Sequence, residues 1–315
     1  MTTKETDPPA GDDTEAAEAR RRAVLALPHT ALAFHPLSAT VRVEIAAASL
    51  QGISRGHNDD HYLVVRTGRS QDTLATSLDA AELPAPFGEF AYAMIVADGL
   101  GDSGTGSVAS RVALSSLAHL ALHHGQWNVR VDPESAADIM DRAQQFYNRA
   151  DAEVFAKSMT GPLLTGIATS LTVAYSAGES LFVAHVGHSR AYLFRNGALT
   201  QLTRDHTMER HLAGSKGPVA VERRAQDARH VLTDAVGAGA GPPQVDVEQF
   251  RLTHRDIVML CTNGLTDAVA EGQIADVLAR PRRAAEQCAM LTNLAHAQKG
   301  EDDVTVVLAQ YQFPE

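Results

Sequence analysis

The chain has 315 residues, enough for one large domain or two small ones with a substantial buried core, and its formal net charge is −11. That charge excludes a phosphate-backbone binder, which would carry a basic stripe, so no nucleic-acid partner is expected. The two cysteines, Cys261 and Cys288, are too few for a disulfide framework and form neither a zinc cluster nor a redox pair.

In chain order, residues 1–37 come first. Their opening stretch, MTTKETDPPAGDDTEAAEARRR, is polar, Pro-bearing and acidic, and is expected to be a disordered or loosely helical tail rather than a signal peptide. No apolar run reaches the ~20 residues that span a bilayer, so a soluble, cytoplasmic protein is expected. Residues 38–315 are read as one domain. Val41, Val43 and Ile45 alternate with polar residues as in a half-buried strand, and 60–67 read as a second strand. A polar loop from Gly68 to Phe87 precedes a nearly unbroken apolar run over 91–97, which suits a strand buried on both faces. That run ends in Asp98, and Gly99, Gly101, Gly104 and Gly106 follow.

Two helices come next. Residues 107–124 place Val108, Val112, Leu114, Leu117, Leu120 and Leu122 on an apolar face, and 133–158 place Ile139, Ala143, Phe146 and Ala150 on another. Strands 170–176 and 180–203 are joined by Ala177-Gly178 and folded back at Asn196-Gly197, the latter a strong hairpin signal. Residues 205–240 read as irregular. Strands at 244–252 and 256–262, helices at 271–279 and 281–298 with Pro281 at a helix start, and a strand at 303–311 close the chain. Strand pairs interrupted by two helix hairpins predict an α+β fold, a four-layer α-β-β-α sandwich of two mainly antiparallel sheets flanked by helix pairs.

A buried strand that delivers Asp98 into a glycine-lined turn offers a hard cation a carboxylate and backbone carbonyls together. The same letters satisfy G-x-G-x-x-G, but Asp98 would set a negative charge beside a dinucleotide's pyrophosphate, and no acidic residue follows about twenty positions on. Gly101–Ser107 has the spacing of a phosphate-cradling loop and lacks its lysine. A zinc hydrolase finds no H-E-x-x-H among the fourteen histidines. Carboxylates recur where other apolar strands meet turns: Asn58-Asp59-Asp60, Asn263-Gly264 with Asp267 beyond, and Glu301-Asp302-Asp303. Separate strands could bring these stations to one edge of a sandwich.

Together these segments resemble the metal-dependent protein phosphatase family of the protein phosphatase 2C type over nearly all of residues 40–311. RGHNDDHYLV is similar to the family's R-x-x-N-E-D, ADGLGD to D-G-x-G-G, ATSLTVAY to G-T-T-L-T, VGHSRAYLF to G-D-S-R-x-Y, CTNGLTDAV to C-S-D-G-L-x-D, and GEDDVTVVL to G-x-x-D-N-x-T. The resemblance implies a phosphoserine/phosphothreonine phosphatase that uses two or three Mn²⁺ or Mg²⁺ ions. Asp98 would bridge two ions, the Gly99 carbonyl would hold one, and Asp302 with position 263 would hold the other. Asp59 and Asp60 would act on water, and Arg55 would grip the substrate phosphate. The implied partner is a phosphorylated protein, the product of a Ser/Thr kinase.

The chain departs from that pattern at Asn263 and His188, where the family has aspartates, the second of them at an additional metal position. One negative charge fewer weakens a site whose affinity follows charge count, and hard cations prefer oxygen to a ring nitrogen. Asp102 stands where the family has glycine and could restore the charge; Asp303 stands where it has asparagine, and could not if 302 and 303 share a strand and so point to opposite faces. Two functions fit: an active phosphatase weakened at its metal site, or a non-catalytic phosphatase-like domain that binds a phosphoprotein or partner through Arg55 and the 205–240 segment.

Overall fold

The structure is a computed structural model that describes residues 40–79, 82–83, 87–101, 104–124, 131, 133–213, 230–239 and 241–314. The N-terminal tail, Asp102 and residues 214–229 of the irregular segment therefore lie outside the described residues. The chain divides into two compact units. The larger takes Pro36–Asp72 and Pro86–Glu315 and carries everything below. In the other, the described residues make local turns, with the Glu82 amide donating to the Asp79 carbonyl at 2.9 Å.

Among the described residues, ten strands form two five-stranded sheets in which every pair is antiparallel. The first sheet has the order β1 (Arg42–Leu50), β10 (Val304–Gln312), β9 (Ile257–Cys261), β6 (Arg190–Arg195), β7 (Ala198–Gln201). The second has the order β2 (Asp60–Gln71), β3 (Phe87–Leu100), β4 (Ala168–Ala177), β5 (Ser180–Val186), β8 (Asp246–Arg251). Met94, Val96, Leu181 and Val183 of the second sheet meet Leu193, Val258, Leu260 and Val307 of the first in the central core. The opposite faces are covered by helices. Helices α1 (Gly106–His124) and α2 (Pro133–Ser158) pack on the second sheet, burying Ile95, Ala97 and Leu171. On the first sheet lie α4 (Asn263–Ala268), α5 (Glu271–Leu278) and α6 (Ala284–Ala297), around Met259, Val306 and Leu308; a short α3 (Met208–Ala213) follows β7. This is the expected four-layer sandwich.

The differences from the sequence reading have local causes. Residues 46–49 read as the end of a strand, yet β1 runs through them to Leu50 because every residue pairs with β10. β2 likewise runs on to Gln71 through its ladder with β3. The apparent strand over 180–203 is broken by more than its hairpin: at Gly187, with φ +107°, the chain leaves the second sheet and enters the first. A Cβ there would lie 2.5 Å from Ser170 Oγ, so the crossing needs glycine. At the Asn196-Gly197 hairpin both residues have positive φ, as the tight turn requires. Pro281 precedes rather than starts α6, whose N-cap is Arg283. On α1 the buried positions are Ala109, Ala113, Leu114 and Leu117, small enough at the start to bring the helix close to the sheet, and Leu122 is exposed. No helix among the described residues is long and apolar enough to cross a membrane.

The buried Tyr311 hydroxyl of β10 lies 2.8 Å from Ser176 Oγ of β4, a hydrogen bond that ties the two sheets through the core. Tyr311→Phe keeps the ring and leaves Ser176 without that partner. Urea unfolding should show a loss of about 1–3 kcal/mol at unchanged slope; an unchanged midpoint would show that the bond contributes nothing to holding the sheets together.

Candidate metal centre

The site forms where β2 and β3 end together. Their register sets Asp60 directly opposite Asp98, so two carboxylates face each other across neighbouring strands, an arrangement that is repulsive when both are charged. Both are buried. The backbone around them is pinned by close approach. A Cβ on Gly99 would sit 2.2 Å from the Gly106 carbonyl oxygen, and one on Gly106 would sit 2.4 Å from that of Gly99, so the first turn of α1 can press on the strand end only because both are glycine. The Gly99 amide donates to the Asp59 carbonyl at 3.2 Å.

Burial is the main cause of the abnormal acidity here. Asp60 is pushed up to about 7 by desolvation, helped by Asp303 and Asp302 and opposed by the hydroxyls of Thr262 and Thr305. Asp98 is raised well above the carboxylate range by burial first, then by Asp60 and Asp302. Thr262 Oγ1 donates to Asp60 Oδ2 at 2.7 Å. Asp98 Oδ2 is buried with no hydrogen bond, although His188 Nδ1 stands 3.5 Å away. That ring nitrogen is 2.8 Å from Ser170 Oγ, and burial pushes His188 down to about 4, so the imidazole is neutral at pH 7.

The remaining acids divide into two kinds. Asp59 and Asp303 hold the backbone. Asp59 Oδ1 accepts from the Ser107 amide in the first turn of α1 at 3.0 Å, while Asp303 accepts from the Gly52 and Asp59 amides, each at 2.8 Å. Asp302 faces the cleft instead. Its Oδ1 accepts from Arg55 Nε at 2.8 Å and also from Nη2, and its Oδ2 lies 3.4 Å from Asn263 Nδ2. Both residues precede β10, which begins at Val304, so strand alternation does not separate them. Asp303 is unavailable to replace the charge missing at 263 because its two oxygens are committed to amides. Asn263 opens α4, donates to Asp267 Oδ2 at 3.1 Å and keeps a buried Oδ1 without a partner.

The structure thus brings Asp60, Asp98 and His188 together, while Arg55, Asp302 and Asn263 are hydrogen-bonded among themselves and stand near enough for Asp302 and Arg55 to act on the charge of Asp98. Asp59 lies beside them but turns one oxygen to α1. Among the described residues, no three His, Cys, Asp or Glu side chains are gathered closely enough to hold an ion unaided. The donor set nevertheless fits a hard divalent cation: it is almost all oxygen, and it includes two buried oxygens, Asp98 Oδ2 and Asn263 Oδ1, that no described residue satisfies. Sequence reasoning missed Thr262, Thr305 and Ser170. The signal was available for Thr262, a hydroxyl residue immediately before a candidate ligand.

Two expectations follow from this division of labour. Asp303→Ala strands two buried amides and should cost about 2–4 kcal/mol in denaturant unfolding, whereas Asp302→Ala, which removes a partly exposed ion pair, should change stability by about 0.5 kcal/mol or less. Equal effects would refute the assignment. In metal-free protein, Asp60 binds its proton more tightly folded, at about 7, than at its ordinary 3.8. Its contribution to stability is therefore lost as pH rises between those values. The stability gained by Asp60→Asn should grow from pH 5 to pH 8; parallel curves would show that Asp60 titrates normally.

Residues 98–212, beginning at Asp98 itself, match the family described as Protein phosphatase 2C. The chain is 31% identical over 216 residues to the serine/threonine protein phosphatase PstP of Mycobacterium tuberculosis, covering 69% of this chain and 40% of PstP. It is 30% identical over 218 residues to the serine/threonine phosphatase stp of Listeria monocytogenes, covering 69% of this chain and 83% of that protein. The chain therefore spans less than half the length of PstP and most of the length of stp. The crystal structure of the PstP catalytic domain in complex with two manganese ions superposes with a TM-score of 0.64 at 26% identity, covering 87% of this chain and 100% of that one. With its two antiparallel sheets, flanking helices and buried acidic strand ends, the chain belongs to the protein phosphatase 2C family.

Proposed function

We propose that the chain is a Mn²⁺- or Mg²⁺-dependent phosphatase that hydrolyses phosphoserine and phosphothreonine monoesters in proteins, within a domain running from residue 38 to 315. The observation that carries this reading is the buried Asp98 opposite Asp60, with an oxygen left unsatisfied. Relatives that cover the same segments are serine/threonine phosphatases, and the PstP catalytic domain binds two manganese ions. In this reading Asp98, the Gly99 carbonyl, Asp302 and Asn263 hold the ions. Bound divalent cations supply positive charge that acidifies water and draws negative charge off the phosphoryl group.

The chain's own groups do the rest. Asp60, with Oδ2 held by Thr262, has its other oxygen to take a proton from the attacking water; Asp59, with Oδ1 held at α1, orients that water. Arg55 leaves Asp302 for the substrate, because two parallel hydrogen bonds to phosphate replace those it makes to the carboxylate. The exchange also frees Asp302 to act as a ligand. Asn263 contributes a neutral oxygen where the family has a charged one, and the neutral His188 adds no anion at the additional position, so the site binds metal weakly. The substrate would be the product of a Ser/Thr kinase. A second reading, a non-catalytic phosphoprotein-binding domain, is favoured by the Arg55–Asp302 pairing and by the lack of a closed three-ligand cluster among the described residues.

Calorimetric titration of Mn²⁺ with a parallel phosphopeptide assay separates the two. Asp98→Ala should abolish Mn²⁺ binding and turnover in a folded protein. Asn263→Asp should tighten the weaker ion by about tenfold and raise activity most at low Mn²⁺, and adding His188→Asp should extend the gain. A parent that turns over briskly and is not improved by either change would overturn the weak-site reading. A double mutant that binds two ions and stays inert would establish the non-catalytic one.

A further inference from the structure

A second concavity lies away from the acidic cleft, between the α1–α2 pair and strands β2, β3 and β4. Its volume is about 370 Å³, within the range of small-molecule sites. Leu63 and Val65 of β2, Leu117 and Ala121 of α1, and Ile139 and Phe146 of α2 are among the side chains that enclose it. Several of these are only half-buried although they sit on the inward faces of their elements. The concavity is open to solvent on one side, so its walls leave apolar surface in contact with water that an apolar molecule would cover.

The polarity of the lining is concentrated in a few groups. Tyr147 turns its hydroxyl into the sheet, donating to the Ala184 carbonyl at 2.8 Å and the Leu171 carbonyl at 3.1 Å, so it presents carbon to the space. Thr67, Tyr175 and Arg142 supply the other polar atoms. Arg142 is near enough to the Tyr175 hydroxyl to oppose the burial that pushes it up to about 12, as is Thr67. Arg142 Nε donates to the Asp138 carbonyl at 3.1 Å, one turn back on α2, which steadies the guanidinium. Thr67 Oγ1 is shielded from solvent and makes no hydrogen bond of good geometry.

We propose that this cavity binds a small single-chain amphiphile with an anionic head, of the free fatty-acid class, its chain against the apolar walls and its carboxylate at Arg142, Tyr175 and Thr67. Arginine is the charged residue of the lining, so an anionic head is matched and a cationic one is not. A peptide segment is a poor occupant, because its backbone amides and carbonyls would meet almost no partners there. The site shares no residue with the acidic cleft and does not depend on the phosphatase reading.

The test uses the full chain, sodium decanoate and, as an uncharged counterpart, decanol. Isothermal titration should show one saturable decanoate site, and saturation should raise the thermal midpoint. Arg142→Met should weaken decanoate by roughly tenfold and leave decanol unchanged. Ala143→Phe, which fills the space from α2, should remove both ligands at a midpoint no lower than the parent's; if that variant folds poorly, the smaller Ala121→Leu serves. Absence of saturable binding, many weak sites, survival of binding in a folded filling variant, or equal loss of decanoate and decanol in Arg142→Met would each overturn the proposal.

Discussion

The structure depends on the confrontation of Asp60 and Asp98 across the β2–β3 ladder, where both are almost wholly shielded from solvent. Two carboxylates so placed cannot both be charged without help, and protonation and a nearby cation are alternative ways to relieve the conflict. Protonation is the relief available to the protein alone, and both acids are raised, by burial first and by neighbouring carboxylates after it. A divalent ion would reverse the preference. Metal affinity and proton affinity at this site are thus two expressions of one electrostatic fact.

That arrangement needs a rigid frame, and the frame is built from neighbouring acids that hold backbone amides. Asp303 joins the Gly52 and Asp59 amides, and Asp59 joins the start of α1. Gly99 and Gly106 let β3 and α1 touch backbone to backbone. Each bond shortens the distance over which the strand ends can drift. The more exposed Arg55–Asp302 pair is of another kind, since its side chains are 40% and 28% exposed and solvent competes for both.

The two departures from the family pattern act differently. Asn263 keeps an oxygen in place and loses a charge, so it weakens attraction without disturbing shape. His188 is packed against Ser170 and beside Asp98. Buried and neutral, it contributes no negative charge. In the proposed reading, the first change would lower metal affinity at a retained oxygen, and the second would leave a neutral ring beside Asp98.

Much was legible in the sequence because it is written in local patterns. Alternation and apolar runs marked most of the strands, Asn196-Gly197 marked its hairpin, and the recurrence of acids at strand ends pointed to one cation-seeking edge. Strand ends were less legible: β1 and β2 run on through segments with no apolar signal because a partner strand supplies their hydrogen bonds, and the switch of sheets at Gly187 depends on contact with Ser170, seventeen residues earlier. Which acid serves which purpose was also hidden. Asp302 and Asp303 are identical neighbours, and only the position of the Gly52 and Asp59 amides makes one a clamp and the other a cleft residue. The sequence by itself determined the layers and the chemical character of the site, since periodicity and residue type suffice for both. Tertiary structure alone decided the Asp60–Asp98 register, the commitment of each carboxylate and the apolar cavity under α1 and α2, because these follow from distances between segments far apart in the chain.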